Sequence, residues 1–431
     1  MKINKFINYI QSIFIILIIP ALISGPFIPD MLVCLVGVIF IFQVSLNRDY
    51  YIFNNNFFYI LLIVNIYFIF SSIQSTLILS SFESSLFYFR FIFFTYAFYY
   101  LISKFENIIN YVFTIIILIL LTNFIILFYE FVYLKINLIP EINFPSRYSG
   151  LFGDEKKLGG YTLRLFIIFL ALLYFVFKKY SINFIHFIAL LIFFISLVII
   201  LSSGERSALF LCLLLIIIYI LFLPIKFQVF AILLFLILIF LGIYFYTEYS
   251  INNNISYIGH RISLIYDRFF LTTINQLNLS VFFSDDYEFI LFSDEHHSFA
   301  ITSLNMFFDK PIFGHGPKLF RHVCQDYYIY GGSCSSHSHN FYLQALSETG
   351  IIGFLILLLF FIYVCYKIIG LYLTFDYTNN NYLVLFLYLY YFISLFPLIP
   401  HGNFFNNWVS ILLYFPLALL IHFTLSFKKN V

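Results

Sequence analysis

Runs of apolar residues about as long as a bilayer is thick recur along this chain, and they leave few folds open. Each is close to the ~20 residues an α-helix needs to cross the hydrocarbon core. They fall near 6–24, 27–46, 57–75, 85–103, 110–133, 161–178, 182–201, 206–223, 228–247, 347–369, 381–399 and 406–426 of 431 residues. The runs are continuous, whereas the strands of an outer-membrane barrel alternate in polarity. Composition agrees: 63% of residues are hydrophobic and 10% charged, too little charge to coat a soluble protein of this size. The expected fold is all-α, a polytopic integral membrane protein with about twelve transmembrane helices. Lys2 and Lys5 precede a first run that is as long as a span and lacks a small-residue cleavage site. It therefore reads as a retained helix, not a removable signal. Gly25-Pro26 allows only a tight joint between the first two runs, short enough for a hairpin. The net charge of +2, without a basic patch interleaved with aromatics, gives no footprint for nucleic acid.

Basic residues collect at alternate ends of the spans. With the N-terminus in the cytoplasm, the inner loops hold Lys2, Lys5, Arg48, Lys104, Lys178, Lys179, Lys226, Lys367, Lys428 and Lys429, and the short outer turns hold little beyond Arg206. Both termini are then cytoplasmic. The chain divides into N-terminal spans (1–133), central spans with a first outer loop (134–247), a large, partly helical outer loop (248–346) and C-terminal spans (347–431). Because the inner loops are negligible, chemistry is expected on the outer face. In the large loop, 297–308 reads as an amphipathic helix lying in the interface plane. The run Asp309-Lys310-Pro311-Ile312-Phe313-Gly314-His315-Gly316-Pro317 follows as a fixed turn.

The polar loop meets the next apolar wall at Ser336-His337-Ser338-His339-Asn340, with Gly350-Ile351-Ile352-Gly353 just beyond. Imidazole titrates near neutral pH, so a histidine at a helix mouth can move a proton at the water–lipid boundary. The same residue can instead cap or anchor the helix. Gly350 and Gly353 lie three apart on one helix face, where small residues let another helix approach.

These motifs form a set with others. Ser146-Arg147-Tyr148-Ser149-Gly150-Leu151-Phe152-Gly153-Asp154-Glu155 precedes Gly159-Gly160. Gly204-Glu205-Arg206-Ser207 ends a span, and Gly402-Asn403-Phe404-Phe405-Asn406-Asn407-Trp408 precedes the last. Together with the turn at 311–317, the cysteines at 324 and 334 and the His-Asn run, they resemble the O-antigen ligase and O-antigen polymerase family of bacterial envelope membrane glycosyltransferases. The resemblance covers roughly 145–425, and the N-terminal spans match only in hydropathy.

The resemblance implies an enzyme of the bacterial inner membrane. It would move a glycan from a polyprenyl (undecaprenyl) diphosphate to an acceptor hydroxyl at the periplasmic face. The acceptor is a lipid A core sugar in a ligase and a second lipid-linked glycan in a polymerase. It implies direct displacement with inversion and no cofactor, nucleotide or metal. A base is needed near the acceptor, and positive charge near the leaving diphosphate. By resemblance His339 is the base. Asn340 can orient it and can cap the helix, two compatible roles. His337 is a competing base or a solvated loop residue. Arg206 is the first diphosphate ligand, since guanidinium matches phosphate in bidentate fashion; it can also be an interfacial anchor. Arg147, Arg268 and Arg321 follow. Glu205 is expected to pair with Arg206 or another arginine. Asp154 and Glu155 belong either to a solvated charge run or to a loop that the glycines fold back on the spans. Arg90, inside an aromatic span, is a functional charge or a structural partner of Glu83 or Asp30. The acidic pairs Asp285-Asp286 and Asp294-Glu295 read as solvated.

Cys34, Cys212 and Cys365 fall in spans as small apolar residues. Cys324 and Cys334 share the outer loop in an oxidising compartment. A disulfide there would contribute ~3 kcal/mol on the chain-entropy model. The rival is a metal set with His337 and His339, whose spacing fits no standard zinc pattern. Two other functions remain open: a lipid-linked sugar transporter, which calls for ionisable groups near mid-membrane and paired broken helices, and a scaffold that binds envelope partners.

Overall fold

The computed structural model describes residues 2–136, 147–236, 240, 266, 269, 294–328 and 334–429. Every regular element among them is helical. In chain order they are α1 (Lys2–Ala21), α2 (Phe27–Asn47), α3 (Asn56–Ile73), α4 (Ile78–Leu86), α5 (Phe89–Lys104), α6 (Ile108–Ile136), α7 (Leu158–Val176), α8 (Ile182–Ser203), α9 (Arg206–Leu221), α10 (Asp294–Asp309), α11 (Phe320–Val323), α12 (Phe341–Leu373), α13 (Asn379–Ser394) and α14 (Asn407–Lys429). Among the described residues nine helices are long and apolar enough to cross a membrane. Nine of the twelve expected spans are thus matched by full-length helices, and among the described residues Arg206–Leu221, Ile225–Leu236 and α13 are shorter than a span. The chain is a multi-pass membrane protein.

It divides into two compact units, each built from separate stretches. One comprises Met1–Val112, Ile290–Ile369 and Tyr390–Val431; the other comprises Phe113–Phe289 and Gly370–Leu389. In the first unit α1 and α2 form the hairpin that Gly25-Pro26 allowed. Gly25 carries φ +99°, a conformation open to glycine at little cost. α5 is the centre of this unit, with Phe91, Phe94, Tyr96, Phe98 and Tyr100 almost wholly buried. It packs on α2 and on α14, where Phe98 meets Phe415 at 4.9 Å and Thr95 Oγ1 donates to the Tyr414 carbonyl at 3.0 Å. In the second unit α7 packs on α8 and α9, and nearly all of its side chains are buried. The Tyr174 hydroxyl lies 2.8 Å from His186 Nδ1 and 2.7 Å from the Tyr219 hydroxyl, and its ring stacks on Tyr382 at 4.5 Å. The network satisfies both hydroxyls and His186 Nδ1, as an apolar interior demands, whereas among the described residues the buried His186 Nε2 has no hydrogen-bond partner.

Candidate functional site

The site-bearing loop of the first unit is built around a broken helix. Asn340 caps α12: its Oδ1 accepts from the N–H groups of Tyr342 at 2.9 Å and Leu343 at 3.2 Å. Its amide donates to the carbonyls of Pro397 at 2.7 Å and Ile399 at 3.2 Å. Of its two expected roles, capping takes up the oxygen end, and the carbonyls of Pro397 and Ile399 take up the amide end. The helix then breaks at Gly350, whose φ of 65° and ψ of −168° are non-helical. The turn 311–317 lies along the break. Ile351 N donates to Pro311 O at 2.8 Å, Gly316 N to Glu348 O at 2.8 Å and His315 N to Ser347 O at 3.0 Å.

These bonds correct the expected role of Gly350 and Gly353. A Cβ on Gly350 would run into the Ile312 carbonyl, and one on Gly314 into the Glu348–Thr349 peptide. Gly350 therefore makes room for the backbone of a turn, not for a second helix. Gly353 lies past the break, beside the Thr349 side chain and the Tyr67 ring. The fully buried Glu348 carboxylate completes the clasp. It accepts from the N–H groups of Lys318 and Phe320 and from the Gln344 amide, each at 2.9 Å. Helices α3 and α4 support the turn from below: Ser71 Oγ donates to Phe313 O at 2.8 Å and Ser81 Oγ to Pro317 O at 3.2 Å.

On this clasp sits a cluster of imidazoles. His339 has φ +56°, a left-handed backbone that costs a side-chain-bearing residue energy. Its carbonyl accepts from His401 N at 2.7 Å. Its ring stacks on Phe299 of α10 at 5.1 Å and lies 4.1 Å from His337 and 5.4 Å from His296. Its Nε2 is 3.1 Å from Ser335 Oγ. Burial, and then the charges of His337 and His296, push its pKa down from 6.5 to about 4, so the ring is neutral at neutral pH. His337 is not the solvated loop residue that was the simpler expectation. It is half-buried, its Nε2 3.2 Å from the His401 carbonyl. Burial lowers its pKa, and Arg321 and His296 add to the shift. Arg321 is exposed at the first turn of α11.

The expected amphipathic helix runs Asp294–Asp309, but its inner face is not purely apolar. Ser298, Phe299, Thr302, Ser303 and Met306 are buried, and Met306 joins Leu319, Phe320, Val323 and Cys324 in a small core. Only Phe308, 73% exposed, keeps the outward apolar character. This helix therefore packs on protein. His315 Nε2 lies 3.0 Å from the Met306 carbonyl and ties the turn to it.

The second unit holds the other named charges. α8 ends at Gly204 in the left-handed conformation, and α9 begins at Arg206. Glu205 is not primarily an arginine partner. Its carboxylate accepts from Gly159 N at 2.7 Å and Gly160 N at 3.0 Å, capping the start of α7. A Cβ on Gly159 would strike Ser203 and Glu205. Burial raises the pKa of Glu205, and the two N–H groups, Arg147 and Arg164 oppose the rise. Arg147 Nη2 reaches the Gly204 carbonyl at 3.5 Å, so Arg147, Glu205 and Arg206 share one corner.

Residues 189–358 match the family model described as O-antigen ligase. Over that segment, which is less than half of the 431 residues, the chain is similar to the O-antigen ligase family. No curated protein matches the chain. The O-antigen ligase segment takes in Glu205 and Arg206, α10, the turn at 311–317, His339 and Glu348. It leaves out α3 and α4, which hold that turn.

Other expectations resolve more simply. Asp154 and Glu155 are exposed, and Glu155 pairs with Lys157 at 2.7 Å; they are solvent-facing charges. Arg268 and the Asp285-Asp286 pair lie outside the described residues. Cys324 and Cys334 are placed as a disulfide pair, their Cα atoms 5.7 Å apart, within the usual range. Among the described residues no group of three His, Cys, Asp or Glu side chains is placed to hold a metal ion. Arg90 is the structural partner of Asp30, at 2.7 Å, and not of Glu83. Asn407 closes the ring, accepting from Arg90 and donating to Asp30, each at 2.9 Å. In the sequence Glu348 follows the His-Asn run as Glu348-Thr349-Gly350 with no role assigned, and His296 and His401 are not singled out. Glu348 carried the clearest signal, a lone carboxylate on the edge of an apolar run.

Proposed function

We propose that this protein transfers a glycan from a polyprenyl diphosphate carrier, undecaprenyl diphosphate in bacteria, to an acceptor hydroxyl at the periplasmic face of the inner membrane. His339 is the general base. The observation that carries the assignment is its setting: an imidazole fixed in a left-handed turn, wedged between Phe299 and His337, and neutral. The acceptor hydroxyl gives its proton to the imidazole, and its oxygen bonds to the anomeric carbon. The bond from that carbon to the diphosphate oxygen breaks, its electron pair leaves with the diphosphate, and the carbon inverts. A base with a pKa of about 4 is weak in the free enzyme. The negative diphosphate raises its basicity when the donor binds.

Arg206 is the first candidate to receive the leaving charge, followed by Arg147 and Arg321, since guanidinium binds phosphate by charge and paired hydrogen bonds. The family supports ligation to a lipid A core sugar. A repeat-unit polymerase uses the same chemistry with a lipid-linked acceptor. His339→Ala is expected to abolish transfer in a membrane assay while insertion and yield stay normal. Arg206→Lys is expected to be strongly impaired, because lysine keeps the charge and loses the fork. Near-normal transfer by His339→Ala would remove the base assignment. The glycan that accumulates on gene deletion separates the acceptors: full-length lipid-linked chains for a ligase, single units for a polymerase.

A further inference from the structure

The first unit contains a second polar feature that the transfer chemistry does not use. A cavity of about 290 Å³ opens beside the Asp30–Arg90–Asn407 ring, lined also by Glu83, Ser84, Phe87 and Lys318. It lies near the lower end of the size range of ligand pockets, room for a small saccharide and not for a lipid tail. The ring groups are spent on one another. The remaining polar groups are not: among the described residues neither the Lys318 ammonium nor the Glu83 carboxylate forms an ion pair. Lys318 has φ +64°, where glycine would sit at lower cost. The backbone is held there by its N–H bond to the buried Glu348 carboxylate. The chain thus sustains local strain to keep an ammonium in this cavity, and strain of that kind gathers at functional positions.

The character of the lining selects the ligand. Two carboxylates (Asp30, Glu83) balance two cations (Arg90, Lys318), so the net charge is zero. A phosphate would have to share Lys318 with Glu83 and would find no surplus positive charge. The free groups are a donor (Lys318), an acceptor (Glu83) and a hydroxyl that is both (Ser84). Phe87, 59% exposed, supplies an aromatic face at the rim. Mixed donors and acceptors around a flat apolar face fit a neutral polyhydroxylated ring. We propose that this cavity is a saccharide-binding subsite, which seats a sugar of the glycan substrates. The proposal rests on the glycan-transfer reading for its biological meaning and on the cavity alone for its chemistry.

The test uses full-length protein in nanodiscs and, as probe, neutral oligosaccharides released by mild acid from the host's envelope glycan. Binding is read by saturation-transfer NMR and titration. Lys318→Gly removes the ammonium and suits the left-handed backbone, so folding is not at risk. Glu83→Gln removes the charge of an exposed residue. Each is expected to weaken saccharide binding by roughly tenfold or more, the loss of a charge-assisted hydrogen bond, with thermal stability unchanged. His339→Ala is expected to bind saccharide normally without transferring it. Saccharide binding indifferent to both cavity variants would overturn the subsite and leave the transferase reading intact. Displacement of saccharide by millimolar inorganic phosphate, with phosphate binding lost in Lys318→Gly, would make the cavity an anion site and also overturn it. Cavity-dependent binding in a wild-type protein that transfers no glycan would sustain the subsite and end the transferase reading.

Discussion

At the scale of single residues, the chemistry of His339 is set by what surrounds it. Burial and two neighbouring imidazoles favour the neutral ring. The acid limb of kcat/KM is therefore expected near pH 4, well below the ordinary 6.5. Replacing His337 by Asn removes one repulsive neighbour and should move that limb upward. A limb at 6.5 in the wild type would show that the ring is solvated. The same shift has a sign for stability. The folded pKa lies below the unfolded one, so the stabilisation is complete above pH 6.5 and is lost as pH falls through about 4. Glu205 gives a second prediction at this scale. Its carboxylate serves two backbone N–H groups at the start of α7. Glu205→Ala should cost about 2 kcal/mol or more, because both donors lose their partner. Thermal unfolding in detergent reads this, with Glu205→Gln intermediate. A silent Glu205→Ala would mean that water caps α7 equally well.

At the scale of elements, the two glycines of α12 predict opposite outcomes. Gly350 has a left-handed φ and backbone against it. Gly350→Ala should destabilise by about 2 kcal/mol or more and reduce transfer at least tenfold, as the turn at 311–317 is displaced. Gly370, in the same element, has nothing within 4 Å of a built Cβ. Gly370→Ala should be neutral or stabilise by up to ~1 kcal/mol. Equal effects at the two positions would refute the clasp. The Cys324–Cys334 pairing is expected to appear as one cross-linked peptide by mass spectrometry under non-reducing conditions. Two free thiols in protein from an oxidising compartment would reject it. Helices were legible in the sequence because each has its own length and apolarity, and Asn340 read as a cap because capping is local. The clasp was hidden. Gly350 looked like half of a packing motif, since spacing reports which residues share a face but not whether the helix survives at that point. Glu205 looked like an arginine's neighbour because the N–H groups it serves lie 45 and 46 residues away.

At the scale of the whole molecule, the first unit is discontinuous. α3, read in the sequence only as hydropathy, and α4, which lies almost wholly between the expected spans 57–75 and 85–103, hold the turn through Ser71 and Ser81. The segment that matches O-antigen ligase thus takes hydrogen bonds to its turn from helices outside it. A chain cut in the short connection after α5, leaving 107–431, should insert yet fail to transfer glycan and lose protease resistance at 311–349. Co-expression of 1–106 should restore both. Activity of 107–431 alone would show that the N-terminal helices are dispensable. The sequence could not reveal this dependence, because the bonds are made by serines whose like occurs in many helices.

The break at Gly350 also divides α12 between two solvents. At 33 residues the unbroken helix would be about 50 Å long, far more than a hydrocarbon core of about 30 Å. The part beyond Gly350 is close to that thickness by itself, while Phe341, Gln344, Ser347 and Glu348 are sealed inside protein. Stretching or thinning the bilayer tilts the lower part, and the upper part, bolted through its own peptide groups to the turn, does not follow. His339 is in this sense mechanically insulated from the membrane it works beside. The rate of its reaction should hardly register the acyl-chain length of the lipid around it.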